Sequence, residues 1–159
     1  MSSEAVDFLR HEGKHEEARR LVVQLVADAP NDAELQYSAA CVHDFLGYES
    51  EAVGFYIAAM AGDLGAESRR GAYLGLGSTY RTLGRYIEAK ATLLNGLARF
   101  PHANELRVFL AMALHNLGQS KEAVESLLLL LAETSSDPDV QKYGAAIKFY
   151  AKDIEKSCA

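Results

Sequence analysis

The chain has 159 residues, of which 49% are hydrophobic, and this is enough apolar sequence for one domain with a continuous core. Its formal net charge of −6, with no cluster of lysine or arginine, argues against nucleic acid as the main partner, because phosphate binding requires concentrated positive charge. No run of about 18 uncharged apolar residues occurs, so we expect no membrane-spanning helix.

The start of the chain and its cysteines predict a protein that is not exported and has no disulfides. Residues 1 to 7 lack the basic and apolar sections of a signal peptide. The two cysteines, Cys41 and Cys158, have no metal-ligand spacing, and reduced thiols are the simplest interpretation. We therefore expect a cytoplasmic protein.

One short pattern recurs four times along the chain: a glycine stands five residues before an alanine. The glycines are Gly13, Gly47, Gly84 and Gly118, and the alanines are Ala18, Ala52, Ala89 and Ala123. The alanines are 34, 37 and 34 residues apart, and a period in this range indicates stacked helical repeats. The predicted units cover about residues 1 to 32, 33 to 66, 70 to 103 and 104 to 137, the first lacking two leading positions.

Within each unit, the apolar spacing predicts two helices joined by a turn at the glycine. In the third unit, apolar and small residues between Tyr73 and Tyr80 recur at the spacing of one helical face. Those between Ala89 and Leu97 repeat the spacing beyond the turn. Gly84 lies between the two helices, where glycine readily adopts the left-handed conformation that ends a helix.

Two segments depart from the strict repetition. Three extra residues lie within residues 61 to 71, whose glycine-containing, polar sequence predicts a longer loop and then an early helix start. After the fourth unit, Pro138 suits the first turn of a helix, and an apolar stripe follows at helical spacing. The stripe consists of Val140, Tyr143, Ile147, Tyr150 and Ile154. It predicts a capping helix over about residues 138 to 156 that covers the five leucines from Leu127 to Leu131.

Laid over one another, the four units resemble the tetratricopeptide repeat family. That family has a helix-turn-helix of about 34 residues with small residues at positions 8 and 20, apolar or aromatic ones at 11 and 24, and proline at 32. The third unit is the closest match, and its segment from Gly77 to Arg85, Gly-Ser-Thr-Tyr-Arg-Thr-Leu-Gly-Arg, is similar to that of a group of small bacterial members. The resemblance implies an all-α, right-handed solenoid of four units, the first truncated, plus a C-terminal capping helix.

No motif for catalysis or cofactor binding survives a search of the sequence. Residues 75 to 79, Gly-Leu-Gly-Ser-Thr, lack the lysine of a phosphate-binding loop and fall inside a predicted helix. The candidate nucleophiles have no recognisable base and orienting partner: they are Ser78, Cys41 and Cys158. We therefore expect no catalytic residue and no cofactor.

The histidines do not predict a metal site. His11 and His15 are four residues apart, but Gly13 marks a turn between them and no third ligand is near. His43 occupies a core-type position, and we expect it to be a hydrogen-bonded interior residue.

The family resemblance implies a concave groove lined by the first helix of each unit. The candidate protein-binding residues are Tyr37, Cys41, Phe45, Leu74, Arg81, Val108 and Met112. An apolar strip beside arginine suits an amphipathic helix or an extended segment of a partner protein, whose apolar anchors would supply most of the affinity. The alternative is that Tyr37, Leu74 and Val108 only contact neighbouring helices.

The second helices carry an additional apolar residue at a position that is usually polar in the family. These residues are Val23, Ile57, Leu94 and Leu128. A wider seam against the next repeat is the favoured explanation. The alternative is a self-association face, used twice in a symmetric homodimer.

Together these features favour a non-enzymatic protein-interaction module that binds a peptide or helix of a partner protein. A homodimer with a structural or regulatory role is the second hypothesis, and an enzyme without a recognisable motif is the third.

Overall fold

The computed structural model describes residues 3 to 157, and every regular element within that range is an α-helix. The helices are α1 (Ser3–His11), α2 (His15–Asp28), α3 (Ala33–Phe45), α4 (Glu49–Ala61), α5 (Ala66–Thr82), α6 (Tyr86–Arg99), α7 (Asn104–Asn116), α8 (Ser120–Thr134), α9 (Pro138–Lys142) and α10 (Gly144–Ala151). Each of α2 to α8 packs on the helix before it, and the first helices of neighbouring units also contact one another. The predicted all-α solenoid of paired helices is confirmed. Cys158 lies outside the described residues.

The turn within each unit is formed by the predicted glycine in the left-handed conformation. The φ angles are 73° at Gly13, 81° at Gly47, 74° at Gly84 and 77° at Gly118. In the third unit, the Arg85 amide donates to the Tyr80 carbonyl at 2.8 Å, which satisfies a carbonyl at the end of α5. A side chain at these positions would be strained, so glycine fixes the same turn in all four units.

The core repeats with the same period as the turns. The eighth and twentieth positions of the units are buried throughout: Val6, Ala40, Gly77 and Ala111, then Ala18, Ala52, Ala89 and Ala123. Their small size brings the paired helices together, since a Cβ added to Gly77 would lie only 2.6 Å from Leu93 Cγ. The first unit follows this pattern as closely as the others and shares an apolar cluster with Val42 of α3.

The insertion between the second and third units lengthens a helix rather than a loop. α5 has 17 residues, whereas α3 and α7 have 13 each. The early helix start is therefore confirmed. The predicted longer loop is wrong, because residues 62 to 65 are no more than the four that join the other units, 29 to 32 and 100 to 103.

Side chains of α3 and α5 hold the added turn of α5. Arg69 donates to the carbonyls of Met60 and Gly62, at 2.9 and 2.8 Å. Glu34 of α3 accepts hydrogen bonds from the Gly65 amide at 3.0 Å and the Ser68 hydroxyl at 2.7 Å. The insertion is thus fixed to α3 and α4 rather than projecting from the surface.

The predicted single helix over residues 138 to 156 is wrong, because the segment forms two shorter helices. The Asp137 carboxylate caps α9 by accepting from the amides of Asp139 and Val140, and the helix breaks at Tyr143. α10 then packs on α8.

The face of α10 that meets α8 also differs from the predicted one. Gly144 and Ala151 are buried there, whereas Tyr143 and Tyr150 are 58% and 65% exposed. Small residues allow the α10 backbone to approach α8, and two large rings in the same places would hold the helices apart. The five leucines are therefore only partly covered: Leu130 is buried, but Leu127 and Leu131 remain 40% and 46% exposed.

Candidate functional site

The first helices of the four units lie side by side and form one face of the molecule, called the inner face here. α1 contacts α3, α3 contacts α5 and α5 contacts α7. Three depressions occur along this face, and five of the seven predicted groove residues line them.

The first depression lies at the N-terminal end of the inner face. Its volume is about 280 Å³, and it is lined by Arg10, His11, His15 and Phe45. Phe45 is 66% exposed, and its only ring neighbour within residues 3 to 157 is His15, at 4.4 Å between centroids. A large apolar ring without cover is available to a binding partner.

The second depression, of about 190 Å³, contains Tyr37 and Cys41. Polar groups of α1 and α3 surround them, among them Asp7, Arg10 and Glu34. Arg10 pairs with Asp7 at 3.3 Å, so its charge is partly satisfied within α1. Tyr37 and Cys41 also pack against the main core, the buried apolar cluster that runs from α3 to α8. Their aromatic and thiol groups therefore contribute to stability as well as to the surface.

A polar cluster lies beneath the second depression. The Tyr56 hydroxyl donates to the Asp44 carboxylate at 3.3 Å and lies 4.0 Å from Cys41 Sγ. Burial raises the pKa of Asp44, although the hydrogen bond from Tyr56 opposes the shift. The Tyr56 ring fits here because α5 has glycine at position 75, where a Cβ would overlap the ring.

The Cys41 thiol is not activated by this environment. Burial raises its pKa, and the nearby hydroxyls of Tyr37 and Tyr56 only partly offset that effect. A thiol with a raised pKa carries little thiolate and is a poor nucleophile. This supports a packing role for Cys41 within the groove.

The third depression, called the C-terminal pocket below, is the largest of the three at about 380 Å³. It brings together Arg81 of α5 and Met112 of α7. Its other lining residues come from α7 and α8: Ala111, His115, Asn116, Ser120, Ala123, Val124 and Leu127. The pocket thus has an apolar floor and a rim that carries one arginine and no carboxylate.

Arg81 has an uncommon state for an arginine. Its Nε atom is buried without a hydrogen-bond partner, and no carboxylate within residues 3 to 157 forms an ion pair with it. By contrast, Arg70 of the same helix and Arg107 of α7 bind glutamates, at 2.6 and 2.7 Å. A half-buried guanidinium without a partner is a binding group for an external carboxylate.

The remaining two groove candidates line none of these depressions. Leu74 and Val108 are half-buried, and Leu74 packs against the main core. Contact with neighbouring helices accounts for Leu74, as the alternative interpretation expected.

The additional apolar residues of the second helices lie mostly at the surface. Val23, Ile57 and Leu94 are 40%, 50% and 45% exposed, and Leu128 is half-buried. A seam against the next repeat therefore does not bury Val23, Ile57 and Leu94, and Leu128 lies on α8, where α10 follows in place of a further repeat.

His43 takes the interior place that the sequence predicts. His43 is buried, and its Nδ1 lies 2.7 Å from the Ala39 carbonyl, while Phe55 packs against its ring. Among residues 3 to 157, no group of three or more potential metal ligands comes together.

Sequence reasoning missed several residues that shape the inner face. The repeat pattern places an apolar residue at the twenty-fourth position, which is Leu127, and marks no role for Val124. Both line the C-terminal pocket because the chain beyond α8 does not cover them. Asp44 and Tyr56 were missed as a pair because their contact depends on the space at Gly75.

Comparison with known proteins gives a family match over most of the chain. Residues 33 to 154 match the family model described as Tetratrico peptide repeat. No curated protein sequence matches the chain. The matched range begins at the second unit, although the first unit has the same turn and the same buried positions. None of the helices within residues 3 to 157 is long and apolar enough to cross a bilayer.

Proposed function

The chain belongs to the tetratricopeptide repeat family, and we propose that it is a non-enzymatic module that binds a segment of a partner protein on its inner face. The observation that carries the proposal is the exposed apolar strip with an unpaired arginine along that face. Phe45 and Met112 are 66% and 39% exposed, and Arg81 has no counter-charge.

The shape and chemistry of the face suit a peptide or helix rather than a small substrate. Its three depressions are spread over six helices, α1, α2, α3, α5, α7 and α8, rather than joined in one enclosed cleft. Binding energy at such surfaces comes mainly from a few apolar or arginine anchors that the partner desolvates. Phe45 at one end and Met112 with Arg81 at the other supply such anchors.

A mutational test compares the inner face with the outer, second-helix face. Phe45→Ala combined with Met112→Ala removes two exposed inner-face anchors, whereas Ile57→Glu combined with Leu94→Glu alters the outer face alone. Proteins retained from a cell lysate by the immobilised wild type are identified and then measured against both variants. We expect the inner-face variant to weaken binding by at least about 1 kcal/mol, and the outer-face variant to bind as the wild type does.

Tyr37 is a poorer choice for that test than Phe45. Its ring lies 6.3 Å from Tyr56, and its hydroxyl occupies the space left by Gly71. Replacing Tyr37 would disturb the packing of α3 on α5 as well as the surface.

The proposal would be contradicted if binding were lost in the outer-face variant and kept in the inner-face variant.

The second candidate is a homodimer that associates through the outer face. It rests on the exposure of Val23, Ile57 and Leu94, one on each of the first three second helices. Sedimentation equilibrium of the wild type and of the Ile57→Glu, Leu94→Glu variant tests it. A dimer that dissociates in the variant would support this candidate, and a monomeric wild type would exclude it.

The proposal places the module in the cytoplasm, with a protein partner rather than nucleic acid. The support is the net charge of −6 and the absence of a disulfide framework in the sequence.

A further inference from the structure

The fourth unit ends differently from the three before it. The twenty-fourth position of each unit lies on the second helix and is sealed at the first three junctions. Val22, Tyr56 and Leu93 are 0%, 2% and 0% exposed there, whereas Leu127 of the fourth unit is 40% exposed. Val22 is smaller than Leu127, Leu93 is identical to it and Tyr56 is larger, so the neighbouring helices rather than the size of the side chain decide the difference.

The difference arises from the helix that follows. α3, α5 and α7 each pack on both helices of the preceding unit and so cover the twenty-fourth position. Within the described residues, α10 packs closely on α8 and has no comparable packing on α7. The space between α7 and α8 therefore stays open as the C-terminal pocket, at the end of the inner face.

The floor of this pocket is suited to an apolar side chain. Met112, Val124 and Leu127 are 39%, 43% and 40% exposed around it. At about 380 Å³ the pocket falls in the range of volumes that bind small ligands or inserted side chains. Covering these residues would restore the burial that the other three junctions have.

The charge around the pocket selects the chemistry of the occupant. Arg81 lies on its rim with a buried, unpaired Nε, and none of the nine lining residues is acidic. His115 is on the same rim, with its Nδ1 2.9 Å from the Ser120 hydroxyl. A carboxylate at this rim would pair with the guanidinium in a half-buried place, where charged hydrogen bonds are stronger than in open water.

The other cations near the pocket leave this preference to Arg81. Arg70 of α5 and Arg107 of α7 are paired with glutamates, whereas Arg81 has no such partner among the described residues. At the second depression, by contrast, Arg10 is paired with an aspartate of α1, and Glu34 adds a negative charge. The carboxylate of a partner is therefore expected at the C-terminal pocket rather than at the second depression.

We propose that the C-terminal pocket binds a partner segment in which an aliphatic or aromatic side chain lies next to an aspartate or glutamate. The apolar side chain covers Met112, Val124 and Leu127, and the carboxylate pairs with Arg81. The assignment rests on the proposed function, because it names the kind of segment that the inner face binds.

The test uses the full chain and a phage-displayed library of random peptides about 12 residues long. Enriched sequences are made as synthetic peptides, each with a matched peptide in which the acidic residue is replaced by its amide. Affinities are measured by fluorescence anisotropy for the wild type, Arg81→Gln and Leu127→Gln. Arg99→Gln and Leu131→Gln are the controls, since both residues are exposed and neither lines the pocket.

We expect enriched peptides to share an apolar residue beside an acidic one. The amide peptides should bind the wild type at least about tenfold more weakly. In Arg81→Gln this preference should vanish, so that acidic and amide peptides bind equally. The two proteins and the two peptides form a double-mutant cycle, which isolates the pairing of Arg81 with the carboxylate of the peptide. Leu127→Gln should weaken both peptides, and the two control variants should bind as the wild type does.

Other outcomes separate this inference from the proposed function. The inference would be overturned if the acidic and amide peptides bound the wild type equally well. It would also be overturned if the preference for the acidic peptide persisted in Arg81→Gln. If such peptides are nevertheless lost in Phe45→Ala, the inner face still binds partners. Failure of the wild type to enrich any peptide would contradict both, and self-association abolished by Leu127→Gln would assign the pocket to a second copy of the chain. If Arg81→Gln does not fold, the inference is still tested by two measurements. These are the affinities of the acidic and amide peptides for the wild type, and the affinities of both peptides for Leu127→Gln.

Discussion

At the scale of single residues, glycine does more in this chain than form turns. Gly71 and Gly75 lie one turn apart on α5, and the rings of Tyr37 and Tyr56 occupy the space that their side chains would need. This arrangement buries Tyr56 and carries its hydroxyl to Asp44, 3.3 Å away. The glycines thus determine how closely α5 packs on the second unit, and through that the shape of the inner face.

Two substitutions to alanine should therefore have opposite effects. In Gly75→Ala the new Cβ would overlap the Tyr56 ring, and we expect the free energy of unfolding to fall by roughly 1–3 kcal/mol. Gly54 is on the exposed side of α4, where nothing lies within 4 Å of an added Cβ. In Gly54→Ala the better helix propensity of alanine should raise the free energy of unfolding by up to about 1 kcal/mol. Urea unfolding followed by circular dichroism measures both, and equal stability of the two variants would refute the role of Gly75.

Asp44 should give the protein a distinctive dependence on pH. Burial raises its pKa in the folded state, so the folded protein binds this proton more tightly than the unfolded chain does. The contribution of Asp44 to stability is therefore largest at low pH and falls as the pH rises past the ordinary carboxyl pKa, about 3.9, to the raised value. Paired acids such as Glu105 and Asp153 have lowered pKa values and act in the opposite direction.

The Asp44→Asn variant isolates this effect, because the other acids are common to both proteins. Its amide oxygen can still accept the hydrogen bond from Tyr56. We expect the stability of the wild type relative to Asp44→Asn to decrease as the pH is raised from about 3 to about 7, in denaturant titrations at each pH. A difference that is constant over that range would show that the Asp44 pKa is not shifted.

At the scale of the helices, the C-terminal segment is where periodicity and packing disagree. The aromatic stripe through Tyr143 and Tyr150 is regular, yet α10 turns Gly144, Ile147 and Ala151 toward α8. Close approach of the backbones buries more of both helices than two tyrosine rings set between them would. The exposed rings of Phe149 and Tyr150 then meet edge to face, with centroids 5.4 Å apart.

The packing face of α10 can be tested by one substitution on each side. Ala151 is 1% exposed, so Ala151→Asp would bury a charge against α8 and should lower the free energy of unfolding by at least about 2 kcal/mol. Tyr150→Ser alters the neighbouring position, which is 65% exposed, and should change the free energy of unfolding by less than about 0.5 kcal/mol. Thermal unfolding of both variants decides. If Tyr150→Ser is the more destabilising, the aromatic stripe is the packing face after all.

At the scale of the whole molecule, each unit depends on its neighbours for burial. The first unit and α3 share a separate apolar cluster, formed by Val6, Ala18, Val22, Ala39 and Val42. Most other buried apolar residues of the repeats belong to a second cluster that runs from α3 to α8. In such an array, stability is close to a sum over units and the interfaces between them.

The first unit should therefore be required for full stability, although the family match begins only at residue 33. Deleting residues 1 to 32 would expose Ala39 and Val42, and we expect the free energy of unfolding to fall by at least about 2 kcal/mol. Urea titration by circular dichroism measures the change. An unchanged midpoint would show that the first unit is only an appendage.

The sequence by itself determined the repeat, its period, the four turns and the positions of the small core residues. These features depend on local physics, since a glycine with positive φ ends a helix wherever it stands and a 3.6-residue spacing places residues on one face. The core-type position of His43 likewise predicts an interior residue, whereas the choice of Phe45, Arg81 and Met112 as groove residues came from the family resemblance.

Only the tertiary structure decided what lies beside each of those residues. The longer α5, the face of α10 and the exposure of Leu127 all depend on how closely helices distant in sequence approach one another. Leu127 occupies a position that is core in the other units, and only the path of α10 leaves it open beside an unpaired Arg81. Periodicity assigns a side chain to a face, but the neighbouring helix decides whether that face is buried or free to bind.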